Sequence, residues 1–385
     1  MKKALYVFVF FFAFCLTVTS QAVAEEGHQL TTKVPMTLYG FVSAQSMWGD
    51  SQVGSFGVNL NMTAPNRVID ETTVAANNDF IGFTLQNTRV GLYLEPYDFG
   101  GKSFNIDARI ELDFWSTAAA AYAVQTPRIR RAYTSIGTDT WNVLFGQEWD
   151  LFAPLNPLTI NVGSVLWNQG NLGSRRPQIR LTTKYAYDQS GIELGASVNS
   201  PNNSMLFNDL GNTTGMPMFQ GRLGYWREGD SGKYLAYLSG VYGRHDNVVV
   251  GGADVNNWGT AFSLDLPFSK LFRVLGEAHY GYSLNPLLSL SANTAKQRTY
   301  GGWGEINSTW CDWFETNVGY GSEMLNNAEV AATNLKTNMV GFGNMIFRPV
   351  KSFSLGFEYN YMRSNYQGSG NSIAHTVMSN VMYQF

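Results

Sequence analysis

The segment Ser103-Phe104-Asn105-Ile106-Asp107-Ala108-Arg109-Ile110-Glu111-Leu112-Asp113-Phe114 sorts into two sets of side chains. Phe104, Ile106, Ala108, Ile110, Leu112 and Phe114 are apolar. Ser103, Asn105, Asp107, Arg109, Glu111 and Asp113 are polar or charged. A period of two is the pattern of a strand, whose successive side chains leave opposite faces; a helix would need a period near 3.6. A half-buried strand of a soluble sheet would look the same, so the weight lies in repetition.

The pattern repeats. Ile192, Leu194, Ala196 and Val198 alternate with Glu193, Gly195, Ser197 and Asn199. Phe353, Leu355, Phe357, Tyr359 and Tyr361 alternate with Ser352, Ser354, Gly356, Glu358 and Asn360. The chain ends on Val377, Ser379, Val381, Tyr383 and Phe385, interleaved with Met378, Asn380, Met382 and Gln384. Short turn-forming stretches rich in Gly, Pro or Asp fall at 95–102, 138–140, 187–190, 228–231, 267–270, 310–312 and 348–350. Longer polar stretches fall at 48–79, 116–126, 149–174, 200–214, 244–256, 286–297, 324–335 and 364–372. Seven short turns alternating with eight long loops give about 16 antiparallel strands, with both ends on the short-turn side. An even strand count with that asymmetry is the outer-membrane barrel rule. The phase is ambiguous near Leu235 and Thr337, which leaves 14 or 18 strands open.

The first residues point to the same compartment. Lys2 and Lys3 precede an apolar run from Ala4 to Val18, and Ala22-Val23-Ala24 is a small-x-small cleavage pattern before Glu25 and Glu26. We read residues 1–24 as a signal peptide, 25–35 as a short periplasmic segment and 36–385 as a transmembrane barrel. The run is short for an anchor helix, and no lipobox surrounds Cys15. Without the leader, 26 basic residues fall to 24 against 29 acidic, a net charge of −5, which argues against a nucleic-acid partner. Cys311 is then the single cysteine, so neither an internal disulfide nor a cysteine metal site can form.

Composition narrows the class. Charged residues are 14% of the chain, against about 25% in average globular domains, while aromatics reach 14%. The mean hydropathy is −0.14, and no 18-residue apolar run follows the leader, so a bundle of membrane helices is excluded. In lipid every backbone N–H and C=O must be paired inside the protein, and strands achieve this only by closing into a barrel. Aromatics near strand ends (Tyr39 and Phe41, Tyr97 and Phe99, Trp310 and Trp313, Phe347 and Phe353, Tyr383 and Phe385) fit interfacial girdles.

A barrel of about 16 strands leaves an aqueous interior, so function rests on the inward side chains and on whatever narrows the lumen. The third long stretch, 149–174, carries Leu151, Phe152, Leu155, Leu158, Ile160, Val162, Val165, Leu166 and Trp167. That is too apolar for a loop in solvent. Folded inward, it would form a constriction and leave Asp150, Asn156, Asn161 and Asn168 to the pore. Packing on a neighbouring subunit is the alternative. Alternation turns Asp107, Arg109, Glu111 and Asp113 into the lumen, with Arg89, Arg180, Lys184 and Arg222. Arg or Lys on the lipid side would cost about 2–4 kcal/mol at midplane. Arg130 belongs to a cluster with Arg128 and Arg131 whose phase the sequence does not fix. These cations could form a basic path opposite the acidic strand, favouring anionic or polar organic solutes. For each wall charge, pairing with a cross-strand neighbour is an equally good reading.

The terminal Val381-Met382-Tyr383-Gln384-Phe385 resembles the C-terminal signal that assembly machinery reads in bacterial outer-membrane proteins. The chain from 36 to 385 resembles 16-stranded porins. Leu144-Phe145-Gly146-Gln147-Glu148-Trp149-Asp150, Pro154-Leu155-Asn156-Pro157 and Arg175-Arg176-Pro177-Gln178-Ile179-Arg180 resemble the DcaP-like porins within it. The long helical N-terminal extension of some members is not matched. The resemblance implies a homotrimer among outer-membrane lipid and lipopolysaccharide that passes small, often anionic, solutes and needs no cofactor.

Two rivals stand beside this reading. A barrel enzyme would need a nucleophile and base at the rim; His28, His245, His279 and His375 are scattered, and G-x-S-x-G is absent. The same scatter gives no metal-ligand spacing. A closed barrel serving as an adhesin or structural protein would need a plug, and the sequence holds no separate plug domain.

Overall fold

Residues 36–49 run as one strand, Met36–Gly49, with one edge paired to the strand that ends at Gln384 and the other to the two strands that follow it in sequence. In the computed structural model the residues described are 35–54, 67–72, 77–98, 104–115, 127–161, 165–201, 214–245, 254–284, 287, 289, 296–326 and 335–385. The leader 1–24, all but Pro35 of the segment 25–35, the loop 116–126, Val162 and Phe99 lie outside them, as does the side chain of Tyr97.

All elements among these residues are strands: β1 (Met36–Gly49), β2 (Phe80–Thr84), β3 (Arg89–Asp98), β4 (Asn105–Asp113), β5 (Arg128–Gly137), β6 (Trp141–Trp149), β7 (Arg175–Tyr187), β8 (Ser190–Asn199), β9 (Met218–Gly229), β10 (Gly232–His245), β11 (Val255–Pro267), β12 (Phe272–Tyr282), β13 (Arg298–Cys311), β14 (Phe314–Leu325), β15 (Leu335–Val350), β16 (Phe353–Tyr366) and β17 (Gly370–Gln384). They form a single antiparallel sheet. β2 and β3 both pair with β1 and are two halves of one wall strand, so the wall has 16 strands. β17 returns to β1 over a register from Phe41↔Gln384 to Gly49↔Thr376, which closes the barrel. Phe385 and Gly40 exchange both backbone hydrogen bonds at 3.1 Å, so the last residue is part of the seam.

The two faces separate by chemistry. Val42, Ile110, Leu181, Leu194, Phe262 and Ile306 stand exposed on the outside. Gln178, Ser197, Gln220, Asn317, Asn344 and Asn360 are buried inside. A sheet with an oily exterior, a polar interior and no free edge satisfies its backbone in lipid.

Several expectations need correction. The stretch 364–372 is not a long loop: Tyr366 pairs with Gly370, and the strands run to a tight turn. Tyr39 and Phe41 are not girdle residues but turn inward, against Arg109 and Arg89. Trp310, Trp313, Tyr383 and Phe385 are exposed outside, as a girdle requires. The ambiguous phase of β10 and β15 has a physical cause: Val241, Val340 and Phe342 face inward and are buried beneath a loop.

Candidate functional site

The inward loop joins the end of β6 to the start of β7. Asp150 N–H donates to the Ser174 carbonyl at 2.8 Å, and Asp150 Oδ2 accepts from Ser174 N–H at 2.9 Å. Arg176 grips the same carboxylate with both arms of its fork, Nε to Oδ1 at 2.7 Å and Nη2 to Oδ2 at 3.0 Å. Gln220 of β9 donates to Asp150 at 2.7 Å and accepts from the backbone of Leu151 and Phe152. The root of the loop is thus a buried, fully hydrogen-bonded ion pair.

From this root the chain crosses the inside of the barrel. Ala153 N–H reaches Ser239 of β10 at 3.3 Å, and Leu155 N–H reaches Glu277 of β12 at 2.8 Å. Leu158 N–H lies 3.0–3.1 Å from both oxygens of Glu305 on β13. Ile160 N–H and the Thr159 hydroxyl bind Glu358 of β16 at 2.7–2.8 Å. Gln45 of β1 donates to the Ile160 carbonyl at 2.6 Å, and Asn344 of β15 to that of Leu158 at 2.8 Å. Three wall carboxylates therefore act as seats for loop N–H groups, a use that charge-assisted hydrogen bonds favour.

The apolar side of the loop follows the same path. Phe152, Ala153 and Leu172 pack on Met218, Val241, Ala261, Leu284 and Leu287. Ile160 and Leu166 join Leu275, Trp303, Val340 and Phe342. Burying each large side chain contributes on the order of 1.5–3 kcal/mol. Glycines on both sides make the approach possible: a β-carbon on Gly321 of β14 would sit 2.3 Å from the Gln169 carbonyl oxygen of the loop, and one on Gly170 of the loop (φ +110°) 2.1 Å from the Gly302 carbonyl oxygen of β13. Ala153, Val165, Leu166 and Asn168 all have positive φ, backbone that costs energy and persists where surrounding contacts hold it.

From its root on β7 and β8, where Leu151 lies against Gly195, the loop follows the wall round to β16 and β1, and the wall of β3 to β6, with the parts of β7 and β8 on the short-turn side, borders what remains of the lumen. Glu111 and Asp113 on β4 hold Arg130 at 2.7 and 2.9 Å; Asp113 also holds Arg128 at 2.6 Å, and Glu111 lies 3.7 Å from Arg89. Arg131 pairs with Glu148, and Arg222 with Glu193 at 2.6 Å. The phase of the Arg128–Arg131 cluster is settled by a bulge. Glu111 pairs with Arg131 and Leu112 with Ile129, so Arg130 is the extra residue and all three arginines face inward.

Arg175, Arg180 and Arg109 differ from the rest, because none makes an ion pair among the described residues. Arg175 is 1% exposed and stacks on Trp149 at 4.4 Å; its Nε and Nη1 have no hydrogen-bond partner. Arg180 donates to Gln178 at 2.9 Å and to the Trp149 carbonyl. Arg109 stands between the rings of Tyr39 and Tyr93 at 5.4 and 4.9 Å. Asp107 accepts from Ser135 at 2.5 Å. Lys184 lies 3.8 Å from Glu193, with 56% of its side chain exposed.

The loop residues expected to line the pore are tied up elsewhere. Asp150 is sealed at the root. Asn156 accepts from Asn171 at 3.0 Å, and Asn161 is buried. Asn168 donates to the Ser289 carbonyl at 3.1 Å, and its own carbonyl accepts from Asn338 at 2.8 Å. Asn156 is thus bonded within the loop, and Asp150 and Asn168 to the strands and loop beside it. Sequence reasoning missed Glu277, Glu305 and Glu358 as loop seats, because a lumen carboxylate looks the same whatever it binds.

The fold has counterparts among solved structures. The outer membrane channel DcaP of Acinetobacter baumannii superposes with a TM-score of 0.72 at 19% identity, covering 92% of this chain and 99% of that one. The anion-selective porin from Comamonas acidovorans gives 0.60 at 11% identity, over 92% and 100% of the two chains. A trimer form of OmpT from Vibrio cholerae gives 0.54 at 10% identity, over 91% and 99%. Neither protein-family models nor curated protein sequences match the chain. The architecture is that of bacterial outer-membrane porins and channels.

Proposed function

We propose that the chain is an outer-membrane porin that passes small polar solutes by passive diffusion and prefers anions. One observation carries the preference. The wall from β3 to β8 holds Arg109, Arg175 and Arg180 without a carboxylate partner, while the facing loop, residues 149–174, contains a single acidic residue, Asp150, sealed against Arg176. On that wall Glu95 and Asp107 also lack a cation partner among the described residues, so these arginines outnumber the free carboxylates three to two, and Arg89, Arg128 and Arg130 share only Glu111 and Asp113. Glu277, Glu305 and Glu358 of the opposite wall are turned to the backbone N–H groups of the loop. Cations lining a narrow wet passage favour anions. The description of the Comamonas porin as anion-selective agrees.

The remaining parts follow from the same reading. Residues 1–24 direct export and are removed, and Phe385 presents the assembly signal before it zips into the seam. The mature barrel sits among outer-membrane lipid and lipopolysaccharide as a homotrimer, in keeping with the trimer form of Vibrio OmpT. Arg89, Asp107, Arg109, Glu111, Asp113, Arg130, Arg180, Lys184 and Arg222 line the passage.

Single-channel recording of the purified protein in planar bilayers tests this. Stepwise conductance is expected, with a reversal potential under a KCl gradient displaced toward that of chloride. Absence of steps would favour the closed, structural barrel. Displacement toward potassium would remove the anion preference.

A further inference from the structure

Arg109 is on the short-turn side of the Glu111–Asp113–Arg130 cluster, four residues before the end of β4. Register sets its surroundings. Tyr93 of β3 and Tyr133 of β5 are its direct cross-strand partners, so the three side chains form one inward row. Tyr39 of β1 leans over the bare backbone of Gly91, where a β-carbon would lie 2.3 Å from its ring, and donates its hydroxyl to Glu111 at 3.0 Å. Its ring face is left to Arg109 at 5.4 Å, and that of Tyr93 lies at 4.9 Å.

The nearby carboxylates are otherwise engaged. Glu111 serves Arg130 and Tyr39, Asp107 serves Ser135, Glu95 serves Thr37 and Glu148 serves Arg131. Arg109 Nε is buried with no hydrogen-bond partner. Neither Tyr93 nor Tyr133 makes a hydrogen bond through its hydroxyl among the described residues. The row therefore offers a guanidinium and two phenolic hydroxyls. Rings on two sides limit the swing of the guanidinium, which keeps its donors pre-ordered.

Resting on the porin reading above, we infer that Arg109, Tyr93 and Tyr133 form a docking station for a small monocarboxylate on the short-turn side of the arginine cluster. The guanidinium fork matches the two carboxylate oxygens, and the hydroxyls supply further donors. Arg109 is the one cation of the row without an ion pair among the described residues: Arg131, over the Tyr133 ring at 5.6 Å, is held by Glu148, and Asp107 lies two residues from Arg109, so the row suits one negative charge better than the two of a phosphate dianion.

Acetate is the probe, and the full-length mature protein in planar bilayers is the sample. Wild-type conductance in potassium acetate is expected to saturate with concentration. Arg109→Gln should weaken the half-saturating concentration roughly tenfold, the scale of one lost charge-assisted hydrogen bond. The double variant Tyr93→Phe/Tyr133→Phe, which keeps the rings and the charge, should shift it in the same direction by less. Heat-modifiable migration on gels confirms that each variant is folded. Reversal potentials from the same bilayers separate the two readings. A wild type without anion preference defeats the porin selectivity beneath the station. An anion-preferring wild type with linear acetate conductance, or an Arg109→Gln variant that saturates like wild type, defeats the station alone.

Discussion

Arg176 and Asp150 form a two-armed ion pair with 0% and 1% side-chain exposure, and the inward loop starts and ends on it. Removing one partner of such a pair leaves the other charge buried and alone. Asp150→Ala is therefore expected to destabilise the barrel by about 3–5 kcal/mol. Arg176→Lys should recover only part of this, because an ammonium cannot reproduce the fork. Thermal unfolding in detergent, followed by heat-modifiable migration, measures both. Equal midpoints for wild type and Asp150→Ala would show that the pair does not hold the root.

Glu358 receives the Thr159 hydroxyl, Ile160 N–H and Asn344 Nδ2, all at 3.0 Å or less. Glu358→Gln sets an amide N–H₂ against donors, and each charged hydrogen bond lost costs roughly 1.5–3 kcal/mol. The loop should leave its seat for part of the time. Open-channel noise is expected to rise, along with mean conductance. A quiet trace at wild-type conductance would mean that apolar packing alone seats the loop.

Arg130 is the extra residue of its bulge. Its deletion leaves Arg128 opposite Asp113, Ile129 opposite Leu112 and Arg131 opposite Glu111, a regular ladder. The variant is expected to fold, to lose one lumen cation and to move its reversal potential toward zero. Failure of this deletion to assemble would show that the bend itself is needed.

Leu181 and Thr182 are adjacent on β7 and face opposite ways. Leu181→Arg places a cation on the outer belt and should cost up to about 2–4 kcal/mol, whereas Thr182→Arg points into water and should cost little. Refolding into lipid vesicles, titrated with urea, compares them. Similar stabilities would contradict the assigned faces.

The sequence made some parts of this molecule readable and not others, for physical reasons. On β4 and β8 the two faces meet lipid and water, so alternation is clean and both strands could be read directly. On β10 and β15 the inner face meets the loop, not water. Val241, Val340 and Phe342 are apolar for that reason, and alternation fades. The three arginines at 128–131 defeated periodicity because one inserted residue reverses phase within a strand. The inward course of 149–174 was legible from its oily residues. Its partners were not, since they come from strands far along the chain: Gln220 is 69 positions from Leu151, and Glu277 122 from Leu155. The break between β2 and β3 gave no sequence signal either. There Asn87 accepts from Trp115 Nε1 at 2.5 Å and donates to Gln45, which in turn holds Ile160.

The lodging of the loop against one flank makes the cylinder mechanically lopsided. From β9 round to β16 the wall is braced from within by a packed interior of its own. From β3 to β6 it has ladder hydrogen bonds, ion pairs, a few side-chain hydrogen bonds and ring stacks, and the surrounding bilayer, without the inward loop packed beneath it. Lateral pressure, thinning of the membrane or exchange of lipid for detergent should thus deform the arginine-bearing flank first. The passage would change shape chiefly through the side that meets the solute.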